Sequence, residues 1–315
     1  MKYAVIDVGS NSIRLFVYQA EGKAFRILFS EKSQAGLAAF IENGRLSDAG
    51  IARTAFVLDE FQQTLSGLDV DQTALFATAS FRNIANTDQA VEEVFRRTGF
   101  RLHVLSGREE AILGYEGALQ SVPMTEGLLL DIGGGSTEVT AFDHSGPLLA
   151  RSMPVGSLNL YSRCVEKYLP AKKEQEAIER RIEKALEEIC IEDFPKNSSF
   201  FGIGGTIRAT LKLANVQNSL PPKNRTLTAE QLISLKKLLC KGGEAARSLL
   251  LNYCPNRLHT VTPGLLILCA LMERLGGQTL TVSRYGVREG YLCRYLLGGG
   301  ERPLTAPPDH AKEDA

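Results

Sequence analysis

Neither sign of charge is in excess in this 315-residue chain: Lys plus Arg and Asp plus Glu both number 36, a formal net charge of zero. A dedicated nucleic-acid or membrane-surface binder normally shows a basic excess, so the balance argues against both. Long apolar runs are missing as well. The longest, Leu265 to Met272, is eight residues, whereas a bilayer span needs roughly 20. The opening Met1-Lys-Tyr-Ala-Val-Ile-Asp7 meets an acid too early for a signal-peptide core, so a cytoplasmic location is expected. There are no low-complexity tracts, and 44% of residues are hydrophobic, which excludes wholesale disorder. No Cys-x-x-Cys pair occurs among the six cysteines (Cys164, Cys190, Cys240, Cys254, Cys269, Cys293), all in the second half. They are expected to be reduced and buried. The four histidines (His103, His144, His259, His310) are not at ligand spacing with them, which argues against a zinc site.

What is present is a repeat. Ala4-Val-Ile-Asp7-Val-Gly9-Ser-Asn-Ser12-Ile-Arg14-Leu15 recurs as Leu128-Leu-Leu-Asp131-Ile-Gly133-Gly-Gly-Ser136-Thr-Glu138-Val139, with Asp, Gly and Ser aligned at an offset of 124 residues. Each copy continues with an alternating strand, a turn (Glu21-Gly22-Lys23; His144-Ser145-Gly146) and another strand. An echo of residues and of element order reads as two related domains in tandem. Residues 1–122 and 123–298 are the expected domains, the second with helical insertions. The Gly/Pro-rich 299–315 is expected to be a disordered tail.

The rest of the pattern is α/β. Ser47 is placed to cap a helix whose apolar face is Ile51, Ala55, Leu58, Phe61 and Leu65. A strand at 74–79, a helix ending near Arg97, a strand at 101–105 and a helix from Arg108 to about Leu119 follow. The second half adds a helix with Ile178, Ile182, Leu186 and Ile189 on one face, then strands at 200–203 and 279–283, each leading into a helix. Hairpins joined to alternating strands and helices predict mixed sheets. The halves, split at residue 120, carry −3 and +3, a difference too small to name a partner.

In each copy a strand ends in Asp-x-Gly-x-x-Ser and turns into a second strand. Glycine allows the tight turn and lets backbone amides approach an anion, serine adds a donor, and the aspartate can hold a divalent cation. Gly204-Gly205-Thr206, at the expected start of a helix, is a third turn of this kind, where helix N-terminal amides can face phosphate. A single such turn is most often a hairpin without a ligand. Two in register and a third favour phosphate binding. Gly-x-x-x-x-Gly-Lys-Ser/Thr is absent and the second turn leads to a strand, so neither a P-loop nor a dinucleotide fold is supported.

These residues resemble the exopolyphosphatase/guanosine pentaphosphate phosphohydrolase family, within the actin-like, sugar-kinase-like ATPase superfamily. The resemblance also includes Ala77-Thr-Ala-Ser-Phe-Arg82, Ser106-Gly-Arg-Glu-Glu110-Ala, Asp131-Ile-Gly-Gly-Gly-Ser-Thr-Glu138, and Gly286-Val-Arg-Glu-Gly290. It implies two ribonuclease-H-like domains with the active site in the cleft between them. The chain has no His-Asp dipeptide, as longer members do in appended helical domains, so it is similar to the short, two-domain form. Two positions depart from the family pattern: Arg108, and Arg257-Leu-His259 in place of Arg-Ala-Asp.

By the resemblance, Glu110 is the general base and Arg82 grips terminal phosphates. Gly9, Ser10, Asn11, Ser12, Arg14, Gly133, Gly134, Gly135, Ser136, Thr137, Gly204, Gly205 and Thr206 bind phosphate. Asp131, Glu138 and Asp7 organise Mg²⁺. Read without the family, Glu110 is a first-turn helix carboxylate, and Arg14 either pairs with Glu138 or binds phosphate. The resemblance implies a Mg²⁺-dependent phosphoanhydride hydrolase acting on inorganic polyphosphate, guanosine pentaphosphate, or both. It implies no nucleic-acid or membrane partner and leaves a homodimer open. The alternatives are a kinase of the same superfamily, disfavoured by the Glu110 context, and a non-catalytic alarmone-binding regulator. A polyanion track would draw on Lys172, Lys173, Arg180, Arg181, Lys223 and Arg225, although most of these also suit a solvated face.

Overall fold

The computed structural model describes residues 1–197 and 199–298, and the tail expected at 299–315 lies outside them. By packing, the described chain divides into two compact units: Met1–Ser106 with Tyr291–Gly298, and Gly107–Gly290. The domains read from the repeat, 1–122 and 123–298, differ from these units at residues 107–122 and at Tyr291–Gly298.

The first unit is built on a five-stranded sheet of β1 (Lys2–Val8), β2 (Ile13–Glu21), β3 (Ala24–Ser33), β6 (Gln72–Ala77) and β7 (His103–Val104), in the order β3-β2-β1-β6-β7. A two-stranded ribbon pairs β4 (Ile41–Glu42) with β5 (Arg45–Leu46). The β1–β2 and β2–β3 pairs are antiparallel, whereas β1–β6 and β6–β7 are parallel. Helix α1 (Asp48–Ser66) starts where the Ser47 hydroxyl accepts from the Gly50 amide, and it buries Ile51, Ala55, Leu58, Phe61 and Leu65 as its spacing requires. The short α2 (Ala79–Arg82) and α3 (Thr87–Thr98) follow β6.

The second unit repeats that plan. Helix α4 (Gly107–Leu119) precedes β8 (Gly127–Ile132), β9 (Thr137–Asp143) and β10 (Gly146–Met153). After α5 (Ser157–Cys164) and α6 (Lys172–Glu188) come β11 (Ser199–Ile203), α7 (Gly204–Gln217) and β12 (Thr226–Thr228). Helices α8 (Ala229–Lys241), α9 (Gly243–Tyr253) and α10 (Val261–Leu275) lead to β13 (Thr279–Val282) and α11 (Val287–Tyr291). The sheet order β10-β9-β8-β11-β13-β12 matches the first unit strand for strand, with β12 added as an antiparallel edge. The duplication inferred from twelve residues is therefore a duplication of topology.

The longest apolar run lies in α10, which is buried nearly all round, as a helix without a polar face must be. Helix α4 belongs to the second unit because of its glycines. A Cβ on Gly117 would lie 1.9 Å from the Gly286 carbonyl oxygen, and one on Gly290 would lie 1.9 Å from the Leu113 carbonyl oxygen. Helices α4 and α11 thus meet backbone to backbone. Glu289 accepts the Gly286 amide at 2.9 Å, closing the start of α11. Gly286-Val-Arg-Glu-Gly290 is explained by this packing.

Not every cysteine is buried. Cys254 and Cys269 are, but Cys190 is exposed at a turn with φ +46°. No helix among the described residues is long and apolar enough to cross a membrane.

Candidate active site

The two repeated turns share their hydrogen bonds. In the first unit Asp7 stands opposite Arg14 across β1–β2, and the Gly9 amide donates to the Ser12 carbonyl at 3.2 Å. In the second, Asp131 stands opposite Glu138 across β8–β9, and the Gly133 amide donates to the Ser136 carbonyl at 2.9 Å. Opposite residues of an antiparallel pair share a face, so Asp131 and Glu138 present two carboxylates together. At the same place the first unit presents Asp7 and Arg14, whose Nε donates to Ser12 Oγ at 3.2 Å.

The carbonyl side of each turn is occupied by the segment after its third strand. Gly36 and Ala38 amides bind the Asn11 and Ser10 carbonyls, and Ser157 and Leu158 amides bind those of Gly133 and Gly134. Asn159 Nδ2 donates to the Gly135 carbonyl at 2.9 Å. With the carbonyls held, the amides of Gly134 and Gly135 make no backbone hydrogen bond among the described residues. That is the chemistry of an anion cradle. Thr137 faces the other way: its buried hydroxyl donates to the Val155 carbonyl at 2.7 Å.

The third turn comes to the same carboxylate. Gly204 opens α7 with φ +83°, and a Cβ there would lie 2.3 Å from Asp131 Oδ1. The start of α7, where first-turn amides have no intrahelical partner, therefore abuts Asp131. Thr206 is buried beside Ser157, their hydroxyls 3.3 Å apart. The Arg257 guanidinium lies over Gly205, where a Cβ would meet Nη2 at 2.0 Å. Arg257 was visible in the sequence only as part of a departing loop. The turn Pro255–Arg257 brings it to Gly205 across 52 residues of chain, a placement that no local pattern encodes.

Glu110 lies in the first turn of α4 and is 7% exposed. Gly107, which opens this helix, sits against Ser152, whose Oγ donates to Glu138 Oε1 at 2.7 Å. One serine thus joins the helix of Glu110 to the Asp131–Glu138 pair. In the first unit, Arg82 ends α2 and donates from Nη1 to the Leu105 carbonyl at 3.0 Å, while Ser80 Oγ ties α2 to the Val8 carbonyl at 2.8 Å. Of the expected residues, Asp131, Glu138, Gly133–Ser136, Gly204–Thr206 and Glu110 belong to the second unit. Asp7, Gly9–Ser12, Arg14 and Arg82 belong to the first. The basic residues of α6 lie on its exposed face.

The Ppx/GppA phosphatase family model matches residues 16–298. The chain belongs to the Ppx/GppA phosphatase family. It is 30% identical to the guanosine-5'-triphosphate,3'-diphosphate pyrophosphatase of Aeromonas salmonicida, over 94% of this chain and 59% of that protein. It therefore spans under two thirds of that relative's length. Exopolyphosphatase 1 of Mycobacterium bovis is 26% identical over 94% of this chain and 88% of that protein. The crystal structure of the Aquifex aeolicus Ppx/GppA family member superposes with a TM-score of 0.78 at 26% identity, covering 96% of this chain and 99% of that one. An exopolyphosphatase from Cytophaga hutchinsonii gives 0.83 at 22% identity, over the same shares, and supports the fold. Both mixed sheets are those of the actin-like ATPase fold.

Proposed function

We propose that this Ppx/GppA family member hydrolyses terminal phosphoanhydride bonds, releasing orthophosphate from inorganic polyphosphate and converting guanosine pentaphosphate to the tetraphosphate. The observation that carries this reading is the meeting of the Asp131 carboxylate with the glycine start of α7, beside a turn whose carbonyls are already held. Amides at Gly134, Gly135 and the α7 terminus bind phosphate oxygens, and Ser136 adds its hydroxyl. Arg257 supplies positive charge over Gly205. In the first unit, Gly9–Ser12, Arg14 and Arg82 offer the same kind of phosphate-binding chemistry.

The Glu110 carboxylate orients a water and accepts its proton while the water oxygen forms a bond to the terminal phosphorus. The bridging P–O bond breaks, and the shortened chain leaves with its electron pair. Burial of Glu110 keeps competing water from its oxygens.

The donor set fits a divalent cation of the magnesium kind. Two carboxylates, Asp131 and Glu138, stand together, and no cluster of three His, Cys, Asp or Glu occurs among the described residues. Mg²⁺ suits such a site because it binds through one or two carboxylates and completes its shell with water and phosphate oxygens. Bound there, it would neutralise charge developing on the phosphoryl oxygens. Asp7 is the corresponding carboxylate of the first unit.

The test is orthophosphate release from long polyphosphate, short polyphosphate and guanosine pentaphosphate, each with Mg²⁺ and with EDTA. Release that EDTA abolishes is expected. Saturable binding without release from any of the three would replace the hydrolase reading with a regulatory one.

A further inference from the structure

The second unit has a cavity of about 820 Å³ that the hydrolytic reading does not use. Ligand pockets typically fall in the range of roughly 300–1,000 Å³. Its walls include the rings of Tyr161 and Tyr168 and the side chains of Leu251 and Leu258, and its charged groups are Lys167, Arg247 and Glu166. Tyr168 is 67% exposed and Leu251 55%, so large apolar surfaces stand in water at its rim. Two cations against one carboxylate favour an anion, and rings beside leucines favour a flat apolar body.

Three consecutive residues connect this cavity to the glycine turn at the start of α7. His259 has its ring centroid 4.7 Å from that of Tyr161 and 5.8 Å from that of Tyr168. Leu258 forms part of the cavity wall. Arg257 lies over Gly205. Two backbone hydrogen bonds brace the segment: the Arg257 amide donates to the Cys254 carbonyl at 2.9 Å and the Thr260 amide to the Arg257 carbonyl at 3.0 Å.

We propose that the cavity is a binding site for an organic anion with a flat apolar body, and that its occupant acts on the Gly204–Thr206 turn through Arg257. The binding half stands alone; the regulatory half rests on reading that turn as a phosphate site. Both are tested without measuring turnover. The probe is 8-anilinonaphthalene-1-sulfonate, an aromatic monoanion, titrated by fluorescence into the wild type, Arg247→Glu, Leu251→Glu and the remote surface control Lys23→Glu. Saturable binding is expected in the wild type and the control, weakened roughly tenfold or more in both cavity variants, the scale of one charge-assisted contact. Both cavity substitutions are at exposed positions, so the fold should tolerate them. Hydrogen exchange with saturating probe then reads the turn: amides of 204–208 should slow at least about twofold in the wild type and be unchanged in Arg247→Glu. Absent binding, or binding equal in all four proteins, overturns the site. Binding without a change at 204–208 overturns the coupling. A failure of the hydrolase reading would appear separately, in the phosphate-release assay.

Discussion

Gly204 offers the sharpest perturbation, because two separable costs coincide there. With φ +83°, any L side chain is strained, and a Cβ would lie 2.3 Å from Asp131 Oδ1. The backbone part costs about 1–2 kcal/mol. At roughly 2–4 °C per kcal/mol for a unit of this size, the thermal midpoint should fall by about 2–8 °C. The steric part is functional. Ordinary contact begins near 3.4 Å, so the carboxylate must retreat by about 1 Å, a misplacement worth on the order of 100-fold in rate. Gly243 is the matched control. It also opens a helix, has φ +82°, and has nothing within 4 Å of its Cβ position. Gly204→Ala and Gly243→Ala should therefore lose similar stability in differential scanning fluorimetry. Only the first should lose kcat/KM for phosphate release, by about 100-fold. Equal losses of activity in both would reduce the effect to stability. A folded Gly204→Ala retaining activity within about threefold would refute the role given to Asp131.

Three further outcomes follow from the same geometry. Gly117→Ala drives a Cβ into the Gly286 carbonyl, which backbone alone cannot evade, so the urea midpoint should drop by the equivalent of about 3 kcal/mol; an unchanged midpoint would mean that α4 and α11 part easily. Asp131→Asn should raise the Mg²⁺ concentration for half-maximal rate severalfold, and an unchanged metal titration would remove Asp131 from the metal site. Burial pushes the Cys269 thiol up to about 12 from its ordinary 9, so it stays protonated at pH 8–9, where an exposed thiol ionises. Mass-spectrometric labelling at pH 8 should modify exposed Cys190 first and reach Cys269 only on unfolding.

Much of the candidate site's geometry was legible because it is local. The Asp-x-Gly-x-x-Ser spacing places Asp131 at a strand end and Gly133 in the turn, and the two copies at an offset of 124 residues foretold the matched sheets. Ser47 and the α1 face were equally plain, since a cap and a 3.6-residue period lie within a few turns. What stayed hidden depends on distant chain. The strand expected at 101–105 is reduced to His103–Val104, the residues that pair with Phe76 and Ala77 of β6, and one further bond, from the Leu105 amide to the Ala77 carbonyl at 2.9 Å, ends the ladder. Thr137 carries a phosphate-binding residue type, but Val155, 18 residues on, takes its hydroxyl. Arg257 acquires meaning only where it meets Gly205, and α4 joins the second unit only where its glycines meet those beside α11. Periodicity reports which face is buried, not what buries it.

The central claim, that the buried Glu110 carboxylate accepts a proton from the attacking water, has a direct measurement. Single-turnover phosphate release from guanosine pentaphosphate is compared between the wild type and Glu110→Gln, alongside equilibrium binding of the same substrate. The account predicts a rate loss of about 100-fold or more with affinity changed less than about threefold, because the amide keeps the shape and loses the base. Release by Glu110→Gln within a few fold of the wild type would contradict it.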